Sequence, residues 1–171
     1  MKILTLCGSI REGSSNHILL KAAHSLLPLS FEWSEFDIKD LPYFDPQLQF
    51  SENLPAVVAT LRNRAKFADV LMIATPEYAH GIPGILKNAL EWLVCEETMK
   101  KSVVVLIGAP SGGQYVKEYL LETLRTMDMQ ASEEKTFSAP NVKKQISVDG
   151  EILDSVFAED FKNFLDKNIR K

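Results

Sequence analysis

The chain has 171 residues, 46% hydrophobic and 25% charged, with a formal net charge of −4. That length suits one globular domain, 1–171, with a sizeable core, and the mild acidity, with both signs mixed along the chain, excludes a broad basic face for nucleic acid or an anionic membrane. Cys7 and Cys95 show no metal-type spacing, and the N-terminal run is too short and wrongly flanked for a signal peptide, so the chain reads as cytoplasmic with reduced thiols and no metal. No apolar stretch is long enough to span a bilayer.

In chain order, KILTLC (2–7) predicts a short strand. NHILLKAAHSLL (16–27) predicts a helix, with Ile18, Ala22 and Leu26 on one side and Leu19, Leu20, Ala23 and Leu27 filling the stripe. FEWSEFD (31–37) alternates and fits an outer strand. Residues 38–55 are rich in proline and aromatics without a period, the mark of a functional or interface segment. AVVATLRNRAKFA (56–68) reads as a helix and DVLMIAT (69–75) as a central parallel strand covered on both faces. PGILKNALEWLV (83–94) is a helix with Pro83 in its first turn, where the missing N–H costs little, and Trp92 packs into the core.

SVVVLIG (102–108) is the strongest strand of all, followed by a helix at 114–127 and a strand at EEKTFSA (133–139). An Asp-Gly turn falls at 149–150, and 153–169 closes the chain as a helix with Val156, Phe157, Phe161, Phe164 and Leu165 on one face. Strands alternating with helices, the central ones wholly apolar, imply an α/β fold: a doubly wound five-stranded parallel sheet, order 2-1-3-4-5, with helices on both faces. Ligands bind such sheets beyond the carboxyl ends of the strands, which singles out loops 8–15, 76–83 and 109–113.

GSIREGSSN (8–16) crowds donors after the first strand. Gly8 and Gly13 permit close approach, Ser9, Ser14 and Ser15 offer hydroxyls, and Arg11 adds a charged planar fork. Asn16, or a serine before it, can cap the helix whose N-terminus also favours an anion. The composition suits a terminal monophosphate; on this loop alone, a capped turn with spare serines remains the alternative. It is not a P-loop, since no Gly-Lys-Ser/Thr follows, nor a GxGxxG dinucleotide turn, since position 10 is Ile. A phosphatase loop with Cys7 as nucleophile fits poorly, because Arg11 follows too closely to wrap a phosphoryl group, and no clear Asp-Pro acid accompanies it apart from Asp45-Pro46. Cys7 reads as a small core residue.

GSIREGSSN, PEYAHGIPGILKNALEW (76–92) and SGG (111–113) together resemble the NADPH-dependent FMN reductases, the group that includes flavin-dependent quinone, chromate and azo-dye reductases. Gly8, Ser9, Arg11, Ser14 and Asn16 fall in register with the family's first motif. Pro76, Glu77, Tyr78, Pro83, Gly84, Leu86, Lys87, Asn88, Ala89 and Trp92 fall in register with its second. Ala79 and Gly81 depart from it, standing where the family has Asn and Ser, and remove polar side chains beside the flavin ring.

The resemblance implies a flavodoxin-like fold and a flavoenzyme. FMN would be held by Ser9, Arg11, Ser14, Ser15 and Asn16 at its phosphate, and by Pro76, Glu77, Tyr78, Ala79, His80, Ser111, Gly112 and Gly113 along its ring and ribityl chain. Ser111 is also a candidate cap for the helix near Gln114. NADPH or NADH as co-substrate would pass hydride to the flavin, and a quinone, azo, flavin or metal-oxyanion acceptor would then take the electrons, with no catalytic side chain required. Family members are commonly homodimers or dimer pairs, and Tyr43, Phe44 and Phe50 would either rim the pocket, in the same or a neighbouring subunit, or anchor their loop into its own core. A flavodoxin-like electron carrier and a flavin-binding regulator are the alternatives; the modest net charge and Arg11 favour the reductase over the carrier.

Overall fold

The computed structural model describes residues 1–169, so the last two positions of the expected 1–171 domain lie outside the described residues. Strands β1 (Lys2–Cys7), β2 (Glu32–Phe36), β3 (Val70–Thr75), β4 (Ser102–Ile107) and β5 (Thr136–Ser138) form one sheet in the order β2-β1-β3-β4-β5. Every neighbouring pair is parallel. Parallel neighbours need crossovers, and helices supply them: α1 (Ser15–Leu26), α2 (Ala56–Phe67), α3 (Gly84–Trp92) and α4 (Gln114–Thr126). After β5 come a short α5 (Val142–Gln145) and a long α6 (Ser155–Ile169).

The apolar central strands divide their side chains between two cores. Leu4, Leu6, Leu71, Ile73, Val103 and Val105 join a cluster with residues of α2, α3 and α4. Ile3, Met72, Ala74, Val104 and Leu106 join a second cluster with residues of α1, α5 and α6. Each fully buried large aliphatic contributes about 1.5–3 kcal/mol by leaving water, so a strand with one polar face would forfeit a whole core. β2 lies at an edge of the sheet, where Trp33 stacks on His24 of α1 at a centroid distance of 4.7 Å.

The structure corrects two expectations and decides between the alternatives of a third. Val156 is exposed, while Phe157, Phe161, Leu165 and Ile169 are buried. It sits one residue, about 100° of helix, off that stripe, and its own i+4 partner is the polar Asp160. The strand expected at 133–139 is a 3₁₀ turn at Glu133–Lys135 followed by three strand residues. The aperiodic 38–55 stretch opens with a 3₁₀ turn, Ile38–Asp40, and is then pinned to the core beneath it. Asn88 of α3 accepts from the Phe44 N–H at 2.8 Å and donates to the Pro42 carbonyl at 3.0 Å. Trp92 Nε1 donates to the same carbonyl at 2.8 Å, and the Phe44 ring meets Trp92 edge-on at 5.1 Å. Phe44 therefore points into its own core, while Tyr43 and Phe50 are exposed.

Candidate cofactor site at the carboxyl edge of the sheet

Because β1, β3 and β4 are adjacent and parallel, the loops that follow them emerge at one edge. The first is a cradle. The Gly8 N–H continues the β1–β3 ladder by donating to the Ala74 carbonyl at 2.7 Å, and the chain then leaves the sheet. A turn closed by the Ser14 N–H on the Arg11 carbonyl (3.1 Å), with Gly13 at φ 62°, leads into α1. Ser14 caps that helix, its Oγ accepting from the Asn16 N–H at 3.2 Å. The buried Ser9 Oγ accepts from the Arg11 N–H at 3.4 Å.

Both buried hydroxyls thus accept from backbone, and neither donates to a group among the described residues. The N–H groups of Ile10, Glu12, Gly13 and Ser15 meet no acceptor there either, and the exposed Arg11 guanidinium makes no hydrogen bond or ion pair. Unmatched short donors converging at a helix N-terminus are what a phosphate-sized anion requires. That donor set fits a phosphate monoester.

Cys7 stands beside the cradle, on a cavity of about 260 Å³ shared with Thr5, His17, Glu35 and Asp37. Burial pushes its thiol up to about 11, against the Ser9 N–H, which pulls it down, and with help from the charges of Glu35 and Asp37. It is a neutral thiol at pH 7, not the thiolate a phosphatase needs.

The second and third loops are tied to each other. Tyr78 and Gly81 exchange backbone hydrogen bonds at 3.2 and 2.9 Å around Ala79 (φ 49°) and His80 (φ 53°). Two positive φ values in a row are the signature of a type I′ turn, and each costs a non-glycine residue about 1 kcal/mol. The His80 ring stacks on Tyr115 of α4 at 4.3 Å, with 20° between the planes. Glu77 joins the same two loops: Oε1 accepts from the Ser111 hydroxyl at 2.9 Å and Oε2 from the Val116 N–H at 3.0 Å. These donors, the Val116 N–H foremost, hold the Glu77 carboxyl below the usual range.

α4 is therefore capped by a residue 39 positions away in sequence, and Ser111, expected as the cap, instead donates to that carboxylate and accepts from the Gly113 N–H at 3.3 Å. Gly113 itself occupies the N-cap position at φ 72°, where a Cβ would run into the Ile107 side chain.

Of the sequence-predicted residues, Ser9, Ser14, Asn16, Pro76 and Gly113 are buried, Ser15, Glu77 and Gly112 are half-buried, and Arg11, Tyr78, Ala79, His80 and Ser111 are exposed. Asn16 is occupied: its Oδ1 accepts from the Gly108 N–H at 2.9 Å and its Nδ2 donates to the Gly108 carbonyl at 3.2 Å, clasping the cradle to the end of β4. Tyr115, Val116 and Gly108 were missed by sequence reasoning, because their roles are backbone contacts or a ring stack made across large separations.

A doubly wound parallel sheet with a cradle of unmatched donors at its carboxyl edge is the architecture of nucleotide-type cofactor-binding α/β proteins. The family described as NADPH-dependent FMN reductase matches residues 1–144, and the chain belongs to it. The quinone reductase of Escherichia coli (strain K12) is 30% identical over 161 residues, covering 90% of this chain and 86% of that one. The NAD(P)H-dependent FMN reductase PA1204 of Pseudomonas aeruginosa is 28% identical over 159 residues, covering 90% and 85%. Among solved structures, FerB, a flavoenzyme NAD(P)H:(acceptor) oxidoreductase from Paracoccus denitrificans, superposes with a TM-score of 0.78 at 24% identity over 98% of each chain. The chain is thus an oxidoreductase of the FMN-dependent, NAD(P)H-using kind.

Proposed function

We propose that this protein holds FMN across the carboxyl edge of its sheet, takes hydride from NADPH or NADH, and delivers electrons to a small oxidised acceptor such as a quinone, an azo compound, a free flavin or a metal oxyanion. The observation that carries this reading is the cradle of unmatched donors at Ser9, Ile10, Gly13, Ser14 and Ser15, with the unpaired Arg11 in the same loop. FMN supplies the hydride acceptance and electron release when bound.

The residues bind and orient. Ser9, Ser14, the loop N–H groups and Arg11 take the phosphate. Pro76, Tyr78, Ala79, His80, Gly112 and Gly113 wall the ring. Glu77, Ser111 and Asn16 hold those walls and the cradle in place. No side chain acts as nucleophile or acid–base catalyst. The exposed Tyr78, on the loop after β3, and Tyr115 and Tyr119, on α4, support a homodimer or dimer of dimers that covers them, and the two unpaired thiols support work in the cytoplasm. The quinone-reductase relative favours a quinone among the acceptors.

The test is anaerobic addition of NADPH to FMN-loaded protein, followed by a quinone. The yellow colour is expected to bleach on mixing and return when the quinone arrives. Colour that persists after NADPH overturns the reductase and leaves the carrier.

A further inference from the structure

Next to the cradle lies a cleft of about 360 Å³. Arg11 and Ser15 line it from the β1–α1 turn, Pro110 from the loop after β4, and Asn141, Lys143 and Lys144 from the segment after β5. The local chain explains the lysines' placement. The Ala139 N–H donates to the Ile107 carbonyl at 2.8 Å, anchoring the segment to β4. Asn141 then turns at φ 59° and Val142 is buried, which leaves Lys143 and Lys144 outside.

No carboxylate lines the cleft. Among the described residues, neither lysine nor Arg11 has an ion-pair partner. With Arg11 committed to the flavin's phosphate, Lys143 and Lys144 remain as two unneutralised cations on one cavity, in a chain of net charge −4, and concentrate positive potential where a small dianion would sit. The hydroxyls and N–H groups of the cradle already suffice for one phosphate; the lysines add charge for a second. NADPH carries a dianionic phosphate monoester on its adenosine 2′-oxygen, and NADH differs by lacking it.

We propose that this cleft is the subsite for the adenosine 2′-phosphate of NADPH, and that Lys143 and Lys144 set the preference for NADPH over NADH. This rests on the co-substrate reading above. Ammonium groups act here as point charges, and they discriminate only through the phosphate that one nucleotide has and the other lacks.

The test titrates 2′,5′-ADP and 5′-AMP, which differ by the 2′-phosphate, into FMN-loaded protein by calorimetry, so that the cradle is already filled. The 2′,5′-ADP is expected to bind at least tenfold more tightly. In the Lys143→Gln/Lys144→Gln variant, whose changes are on the surface, that difference should vanish. The ratio of kcat/KM for NADPH to that for NADH should fall at least tenfold, with FMN still retained. A variant that keeps both the affinity difference and the ratio overturns the proposal. So does one that loses FMN without a change in nucleotide preference, since the lysines then serve the flavin's own phosphate. A wild-type protein that takes up no FMN defeats the function proposed above instead; on that protein the cleft is decided by whether the Lys143→Gln/Lys144→Gln variant loses the 2′,5′-ADP over 5′-AMP difference, and a difference the variant keeps overturns it.

Discussion

Ala79 occupies a backbone conformation that suits asparagine or glycine better than alanine. At φ 49° its Cβ crowds the following carbonyl, and it has no polar group to hydrogen-bond locally in return. His80 beside it, at φ 53°, at least gains the stack on Tyr115. The Ala79→Asn variant should therefore gain about 0.5–1 kcal/mol of stability, read as a raised midpoint in thermal or urea unfolding. An unchanged or lowered midpoint would mean that the turn is not strained. The departure at this position was visible in the sequence as a mismatch to the motif. The strain was not, because it depends on Tyr78 and Gly81 closing the turn by hydrogen bonds at 3.2 and 2.9 Å.

Glu77 works between elements, joining the turn after β3 to the first turn of α4. Its carboxyl titrates lower in the folded protein than in the unfolded chain, so its stabilisation is complete above the unfolded carboxyl's value and is lost as pH falls through the folded one. Glu77→Gln should melt below the wild type at pH 7, and the gap should close on acidification past the folded value. A gap that stays constant with pH would assign the loss to packing alone. The cap was illegible in the sequence because no local pattern links a glutamate to an N–H 39 residues on. The helices themselves were legible: α1 buries Ile18, Leu19, Leu20, Ala22 and Ala23 of the stripe its spacing predicts, since those side chains join one core with the sheet, α5 and α6. The sequence leaves Phe44 open between rim and core for the opposite reason. Its inward seat is made by Asn88 and Trp92, more than forty residues away.

At the scale of the molecule, the strand order was readable because β1, β3 and β4 are apolar on both faces and only buried parallel strands need to be. The location of the site follows from that order, since three adjacent strands deliver their loops to one edge. The same geometry makes FMN a stabiliser of the whole fold. At 100 times its dissociation constant, a ligand bound only by the native state adds about 2.7 kcal/mol. Ser9→Ala/Arg11→Ala, which removes a buried hydroxyl and a charged donor, should weaken FMN about 100-fold or more and abolish most of that thermal shift, with little effect on riboflavin, which lacks the phosphate. An undiminished FMN shift in the double variant would place the phosphate elsewhere.

The clasp between Asn16 and Gly108 ties the cradle to the start of the loop after β4. It works as a caliper: the gap between the two halves is set before any molecule arrives, so capture should be governed by encounter and not by rearrangement. Stopped-flow mixing should then show a single phase whose rate rises linearly with flavin concentration.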